Sequence, residues 1–155
     1  MSKTVVRTES RGDAYWVLGG LYEVLASSED TGGAVTVMQM TVPVNAGPPP
    51  HTHSGWECAY VLEGTVRFHV DGETHEAGKG AFFHFPAATL ETFEPTSTAK
   101  IIFVYQPGGI DKFFAEVGEP APRREVPPPM QTPPDLERIA RIAERYGMTF
   151  QAPSG

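Results

Sequence analysis

Over residues 34–42 the chain alternates with a period of two. Thr36, Met38, Met40 and Val42 fall on one side, and Val35, Val37, Gln39 and Thr41 on the other. That period is imposed by a β-strand. Both sides are half apolar, which predicts a strand covered by a second sheet or by another subunit. Residues 57–62 repeat the pattern, with Glu57, Ala59 and Val61 on one face and Tyr60 and Leu62 on the other. Val66, Phe68 and Val70 alternate with Arg67 and His69 up to Asp71-Gly72, a strong hairpin-turn signal. Further short segments are predicted at residues 4–6, 14–18, 21–26, 74–77, 81–85, 90–93 and 99–105, with a turn at Arg11-Gly12-Asp13, a hinge at Gly19-Gly20 and a polar loop over 27–33. Many short strands at this spacing predict a sandwich or barrel.

The pattern changes after Pro107-Gly108-Gly109. Residues 110–117 read as a short helix with Phe113, Phe114 and Val117 to bury. Residues 118–134 hold prolines at 120, 122, 127, 128, 129, 133 and 134, the composition of an extended connector. Asp135 then caps a helix in which Leu136, Ile139, Ile142, Ala143 and Tyr146 recur at helical spacing before Gly147. So short a helix is marginal alone and must pack on the barrel or a neighbouring subunit. The expected organisation is one domain, with the barrel over residues 1–109 and a helical tail over 110–155.

Composition narrows the function. The formal charge of −7 and the lack of a basic run argue against nucleic-acid or anionic-membrane partners. One cysteine, Cys58, precludes an internal disulfide and points to a reducing compartment. The first residues have no apolar leader-like run and no stretch approaches a membrane span, so a cytoplasmic protein is expected.

The chemistry concentrates in Gly47-Pro-Pro-Pro-His51-Thr-His53-Ser-Gly-Trp-Glu57. Two imidazoles and a carboxylate within seven residues are the donor set of a divalent-metal site. On a strand His51 and His53 face the same way, and Glu57 shares their parity. The three prolines fix the backbone ahead of them. His69 and His75 fall on polar faces or turns and read as solvated. Cys58 alternates away from Glu57 and reads as an inert thiol.

These residues resemble the cupin superfamily over roughly residues 34–106. The first family motif, H-x-H, a short spacer, E and a later G, is met by His51, His53, Glu57 and Gly64. Asn45 stands for the glycine expected ahead of it, a substitution compatible with the left-handed backbone that Asn also visits. The Pro-Pro-Pro-His-x-His form and both flanks look like the small, single-domain, quercetin-dioxygenase-like branch. The resemblance implies an all-β jelly roll (double-stranded β-helix) with a C-terminal helical tail, and a homodimer.

The second motif departs from the family. Its G-D pair is Gly80-Ala81, and its P-x-G-x-x-H is Pro86-Ala87-Ala88-Thr89-Leu90-Glu91, so Glu91 stands where the fourth ligand, a histidine, belongs. Three readings stay open: Glu91 is a ligand, it is an acid or base beside a metal held by His51, His53 and Glu57, or the metal is lost and the polar cluster binds a ligand directly. His84 is expected to point away, because Phe83 and Phe85 match the inward positions of its strand.

Two imidazoles and two carboxylates neutralise a divalent ion, and this oxygen-rich set favours Fe, Mn or Zn, one per chain. Glu57 and Glu91 are the candidate acid/base groups. Met38, Met40, Trp56, Phe68, Phe83, Phe93 and Tyr105 are the expected substrate contacts, suiting a small aromatic or polyketide-like molecule. The resemblance puts a dioxygenase-type reaction first. The altered fourth position leaves open a non-redox cyclase, isomerase or lyase, and a non-catalytic binder.

Overall fold

The computed structural model describes residues 2–9 and 12–151. Its strands are β1 (Ala14–Val17), β2 (Gly20–Ala26), β3 (Thr36–Val42), β4 (His51–His53), β5 (Trp56–Glu63), β6 (Val66–Val70), β7 (Glu73–Ala77), β8 (Phe82–Phe85), β9 (Glu91–Pro95), β10 (Ala99–Gln106), β11 (Glu119–Pro120) and β12 (Met148–Phe150). Two helices, α1 (Ile110–Val117) and α2 (Leu136–Glu144), lie in the last third. The strands form two antiparallel sheets, ordered β11-β1-β2-β3-β10-β5-β8 and β12-β4-β9-β6-β7. Chain neighbours β3 and β4, β4 and β5, β5 and β6, β7 and β8, and β8 and β9 lie in opposite sheets, the crossing pattern of a jelly roll.

The period-two pattern fills the space between the sheets. Thr36, Met38, Met40 and Val42 of β3 are all buried, as are Glu57, Ala59 and Val61 of β5. Across the register, Phe103 of β10 lies between Met38 and Ala59, and Tyr105 between Thr36 and Glu57. The pattern therefore delivers Glu57 into the interior together with the apolar core. Gly64 closes β5 at φ 78, and a Cβ there would lie 2.2 Å from the Thr98 carbonyl oxygen, so the turn admits glycine alone.

The tail is built into the barrel. Helix α1 buries Ile110, Phe113 and Phe114. The Asp135 side chain accepts from the Arg138 amide to cap α2, which buries Ile139, Ile142 and Ala143. Tyr146 donates to Glu116, and Arg145 pairs with the same carboxylate, tying the end of α2 to α1. The Pro-rich connector is fixed near its start: β11 pairs with β1, Trp16 Nε1 donates to the Glu125 carbonyl at 2.9 Å, and Arg124 pairs with buried Glu23.

Two sequence expectations need correction. Residues 4–6 form no strand; the N-terminal arm is held by an isolated Ser2–Thr31 bridge and by the Lys3 amide on the Asp30 carbonyl. Strand β12 was not anticipated, because three residues after a helix carry too little periodicity to announce a strand. Of the expected turn at residues 11–13, Arg11 lies outside the described residues.

Candidate metal centre

Strand β4 presents His51 and His53 from the same side, β5 presents Glu57 and β9 presents Glu91. One ligand atom from each lies within 4.8 Å of every other. His51 Nε2 is 3.4 Å from Glu91 Oε1, and His53 Nε2 is 3.5 Å from Glu57 Oε1. His51, Glu57 and Glu91 are buried, and His53 is nearly so. The Pro49 carbonyl, 2.9 Å from His51 Nδ1, accepts a hydrogen bond from that nitrogen, which leaves the Nε2 lone pair facing the cluster. The proline run thus supplies the contact that orients the first imidazole.

The same four residues leave polar atoms without partners. His53 Nε2, both Glu57 oxygens and Glu91 Oε2 are buried and make no hydrogen bond. Each such group costs about 1–3 kcal/mol when left unpaired, and more when charged. A divalent cation at their centre removes that cost, so the donor set fits a metal.

The electrostatics of the metal-free cluster agree. Burial, followed by the neighbouring Glu91, pushes the Glu57 carboxyl well above the usual carboxylate range. For Glu91 burial also pulls upward, but the proton held by Glu57 and the His51 and His53 rings outweigh it and hold its carboxyl low. Burial, then His51, pushes His53 down to about 4, so its imidazole is neutral and available for coordination at neutral pH.

Two backbone positions compensate for the unusual motif residues. Asn45 and Ala88, both at sites where the family pattern has glycine, adopt left-handed φ values of 70 and 67. The Ala88 amide donates to the His53 carbonyl at 2.8 Å, which anchors the β8–β9 loop to the metal strand. His84 is exposed on the outer face of β8, 6.0 Å from the Trp56 ring, and takes no part in the cluster.

An apolar chamber abuts the cluster. His51, His53 and Glu91 form part of its wall, with Met40, Phe93 and Tyr105 from the expected substrate contacts. The other expected contacts lie elsewhere. Met38 and Phe68 are fully buried core, Phe83 packs on Phe68 with ring centroids 4.3 Å apart, and Trp56 borders a separate polar pocket that also touches His53 and Tyr105. Sequence reasoning missed Tyr22, Phe113 and Phe114, and the β12 residues Met148 and Phe150, all of which line the chamber. The apolar face of α1 was legible, but not its destination. Phe150 sits 5.9 Å from the His51 ring, and Tyr105 5.4 Å from the His53 ring.

The jelly roll and its central pair of histidines and pair of glutamates support membership of the cupin superfamily. The family model for the cupin domain matches residues 38–109. Quercetin 2,3-dioxygenase of Bacillus subtilis is 28% identical over 117 residues, covering 74% of this chain and 35% of the relative. The chain thus spans about a third of that relative's length. Among solved structures, a polyketide cyclase from Streptomyces resistomycificus is similar at 25% identity and a TM-score of 0.55, over 68% of this chain and 80% of that one. An RmlC-like cupin from Shewanella frigidimarina matches with a TM-score of 0.61 at 18% identity, over 72% and 96% of the two chains, a likeness of fold.

Proposed function

We propose that this cupin is a metal-dependent enzyme acting on a small hydroxylated aromatic or polyketide-like molecule, with a dioxygenase-type reaction as the leading activity. The observation that carries the reading is the cluster of four convergent, buried donors whose unpartnered oxygens and nitrogen call for a cation. The 28% identity to quercetin 2,3-dioxygenase supports the choice of reaction. A divalent Fe, Mn or Zn held by His51, His53, Glu57 and Glu91 would supply Lewis acidity and, where the ion is redox-active, reactivity toward oxygen.

The chain's own groups do the rest. The apolar chamber packs on the reacting end of the substrate and excludes water. Each glutamate has a second carboxylate oxygen, and one of these accepts the proton of the substrate hydroxyl, leaving the phenolate or enolate oxygen beside the metal position. Burial, then the facing Glu57 and Glu91, keep the Tyr105 hydroxyl protonated, so it serves as a donor and not as a base.

A second reading is non-redox cyclisation, isomerisation or lyase chemistry with Glu91 as acid/base. Glu91 in place of a histidine favours it, because a charge-neutral site is the weaker Lewis acid and puts more of the work on the carboxylate. The likeness to a polyketide cyclase supports it as well. We further propose a cytoplasmic homodimer, the outer face of β5 and β8 exposing Tyr60 and Phe82 as direct cross-strand partners.

The test is oxygen uptake and product analysis with quercetin, on protein carrying Fe, Mn or Zn. Uptake with Fe or Mn but not Zn supports oxygenation. Anaerobic turnover with Zn moves the assignment to the second reading. Tight binding without turnover under either atmosphere makes the chain a binding protein and overturns both.

A further inference from the structure

The metal chamber is small. About 30 Å³ is open to the centre of a water molecule, room for roughly two waters. No multi-ring system fits within a space of that size. A much larger space lies next to it: an open groove of about 490 Å³, also bounded by Val17 and Leu18. These two residues line the chamber on one side and the groove on the other.

The groove is walled by the helical tail and the connector. Val117 and Ile139 supply apolar wall from the two helices, and residues 130–134 of the Pro-rich connector complete it. That connector is tied at its start by the Glu125 and Arg124 contacts and at its end by the capped helix α2. Between them, among the described residues, no hydrogen bond joins residues 126–133 to the barrel. Met130 is half exposed, and its Cε lies 3.6 Å from where a Cβ on Gly19 would stand, so it reaches the β1–β2 turn. The charged lining residues Glu119, Asp135 and Arg138 carry both signs, and Asp135 already accepts from the Arg138 amide. Such a lining suits a near-neutral molecule with polar substituents.

Leu18 is placed to separate the two spaces reversibly. It and Gly19 adopt φ values of 46 and 83, making the tight turn between β1 and β2. Its side chain stands on a turn, half-buried, so a rotation there breaks no strand hydrogen bond.

We propose that this groove is the subsite for the distal rings of a multi-ring, near-neutral organic substrate, whose hydroxylated end passes Leu18 into the metal chamber. The inference rests on the metal-enzyme reading above and adds to it the size class of the substrate and the route by which it enters.

The experiment is equilibrium dialysis of Zn-loaded protein with two probes, phenol and the three-ring 1,8-dihydroxyanthraquinone, on wild type, Met130→Asp and Leu18→Gly. Leu18→Gly suits the left-handed backbone, and Met130 is partly exposed, so both variants should fold. The three-ring probe should bind at least about tenfold tighter than phenol and lose about tenfold in Met130→Asp, a change of about 1.4 kcal/mol. Phenol should be indifferent to that substitution, and stopped-flow association of the three-ring probe should be faster in Leu18→Gly. No binding of the three-ring probe, or binding unaffected by Met130→Asp, overturns the subsite. Metal analysis of the same samples separates the two readings. Met130-dependent binding in a protein that takes up no metal keeps the groove and removes the metal centre. Stoichiometric metal with no dependence on Met130 does the reverse.

Discussion

His51 and Glu91 face each other across β4 and β9, and theirs is the single register pair joining those two strands. Their side chains meet at 3.4 Å from Nε2 to Oε1. The residue that departs from the family motif is thus fixed directly against the first histidine of the intact one. Glu91→Ala should abolish stoichiometric metal, and Glu91→His should retain it, read by elemental analysis of protein purified without chelators. Metal retained in Glu91→Ala would remove Glu91 from the ligand set.

The facing carboxyl of Glu57 opposes the stability of the metal-free chain, because burial and the neighbouring Glu91 disfavour its ionised form. Glu57→Gln keeps its shape and removes that charge, so it should raise metal-free stability by about 1–3 kcal/mol while weakening metal binding. Urea unfolding in the presence of a chelator reads the first effect, and metal titration the second. A destabilised Glu57→Gln would mean that the ionised carboxylate is satisfied by the protein alone.

Acidity should act on the metal-free protein from both sides. His53 titrates at about 4 against an ordinary 6.5, so between those values the unfolded chain binds a proton that the native chain refuses, and stability falls as pH drops. Glu57 is raised, so above its ordinary 4.5 the native chain keeps a proton that the unfolded chain has released, and stability falls as pH rises toward the raised value. Above about 6.5 the Glu57 effect stands alone. Metal-free protein should therefore lose stability from pH 6.5 to 8.5, and metal, which takes the proton's place, should bind more tightly over the same range. Thermal melts with chelator and with Zn across that window check both slopes. A metal-free stability that rises over the window would contradict a proton held by Glu57.

Ala88 holds a left-handed φ of 67 where the family motif has glycine. Ala88→Gly should relieve about 1 kcal/mol of backbone strain, raising Tm by a few degrees. Calorimetry reads it, and an unchanged or lower Tm would show that the extra freedom of glycine in the unfolded chain outweighs the relief.

Tyr60 and Phe82 are 44% and 62% exposed, and an apolar pair facing water on a sheet is the sort of surface that a second copy covers. Light scattering should give twice the 16.8 kDa chain mass for wild type and the single-chain mass for Phe82→Glu. A wild-type monomer would end the proposal.

Much of this was readable from the residues, for reasons that can be named. Alternation placed β3, β5, β6 and β10 because a half-buried strand has to alternate. The spacing of His51, His53 and Glu57 brought three donors together because the two histidines share one face of β4 and the short link at residues 54–55 carries the chain across to β5, whose inner face holds Glu57. Glu91 was found through the motif it interrupts. The chamber walls were less legible. Met38 and Met40 share one face of β3, yet only Met40 reaches the chamber, because which layer of a barrel adjoins a cavity depends on elements far away in sequence. Phe150 and Met148 gave no local signal at all.

That last strand carries a consequence for the order of events in synthesis. Phe150 pairs with His51 and Met148 with His53, so β4 finds its full backbone partner about a hundred residues downstream. Joining segments so far apart costs loop-closure entropy, which is repaid only after most of the chain is present. A nascent polypeptide carrying the histidines but not yet the tail has no rigid cage to offer an ion. Metal capture by the proposed centre would thereby be postponed to the finished protein, and the centre would be charged from whatever pool of cations surrounds the folded molecule.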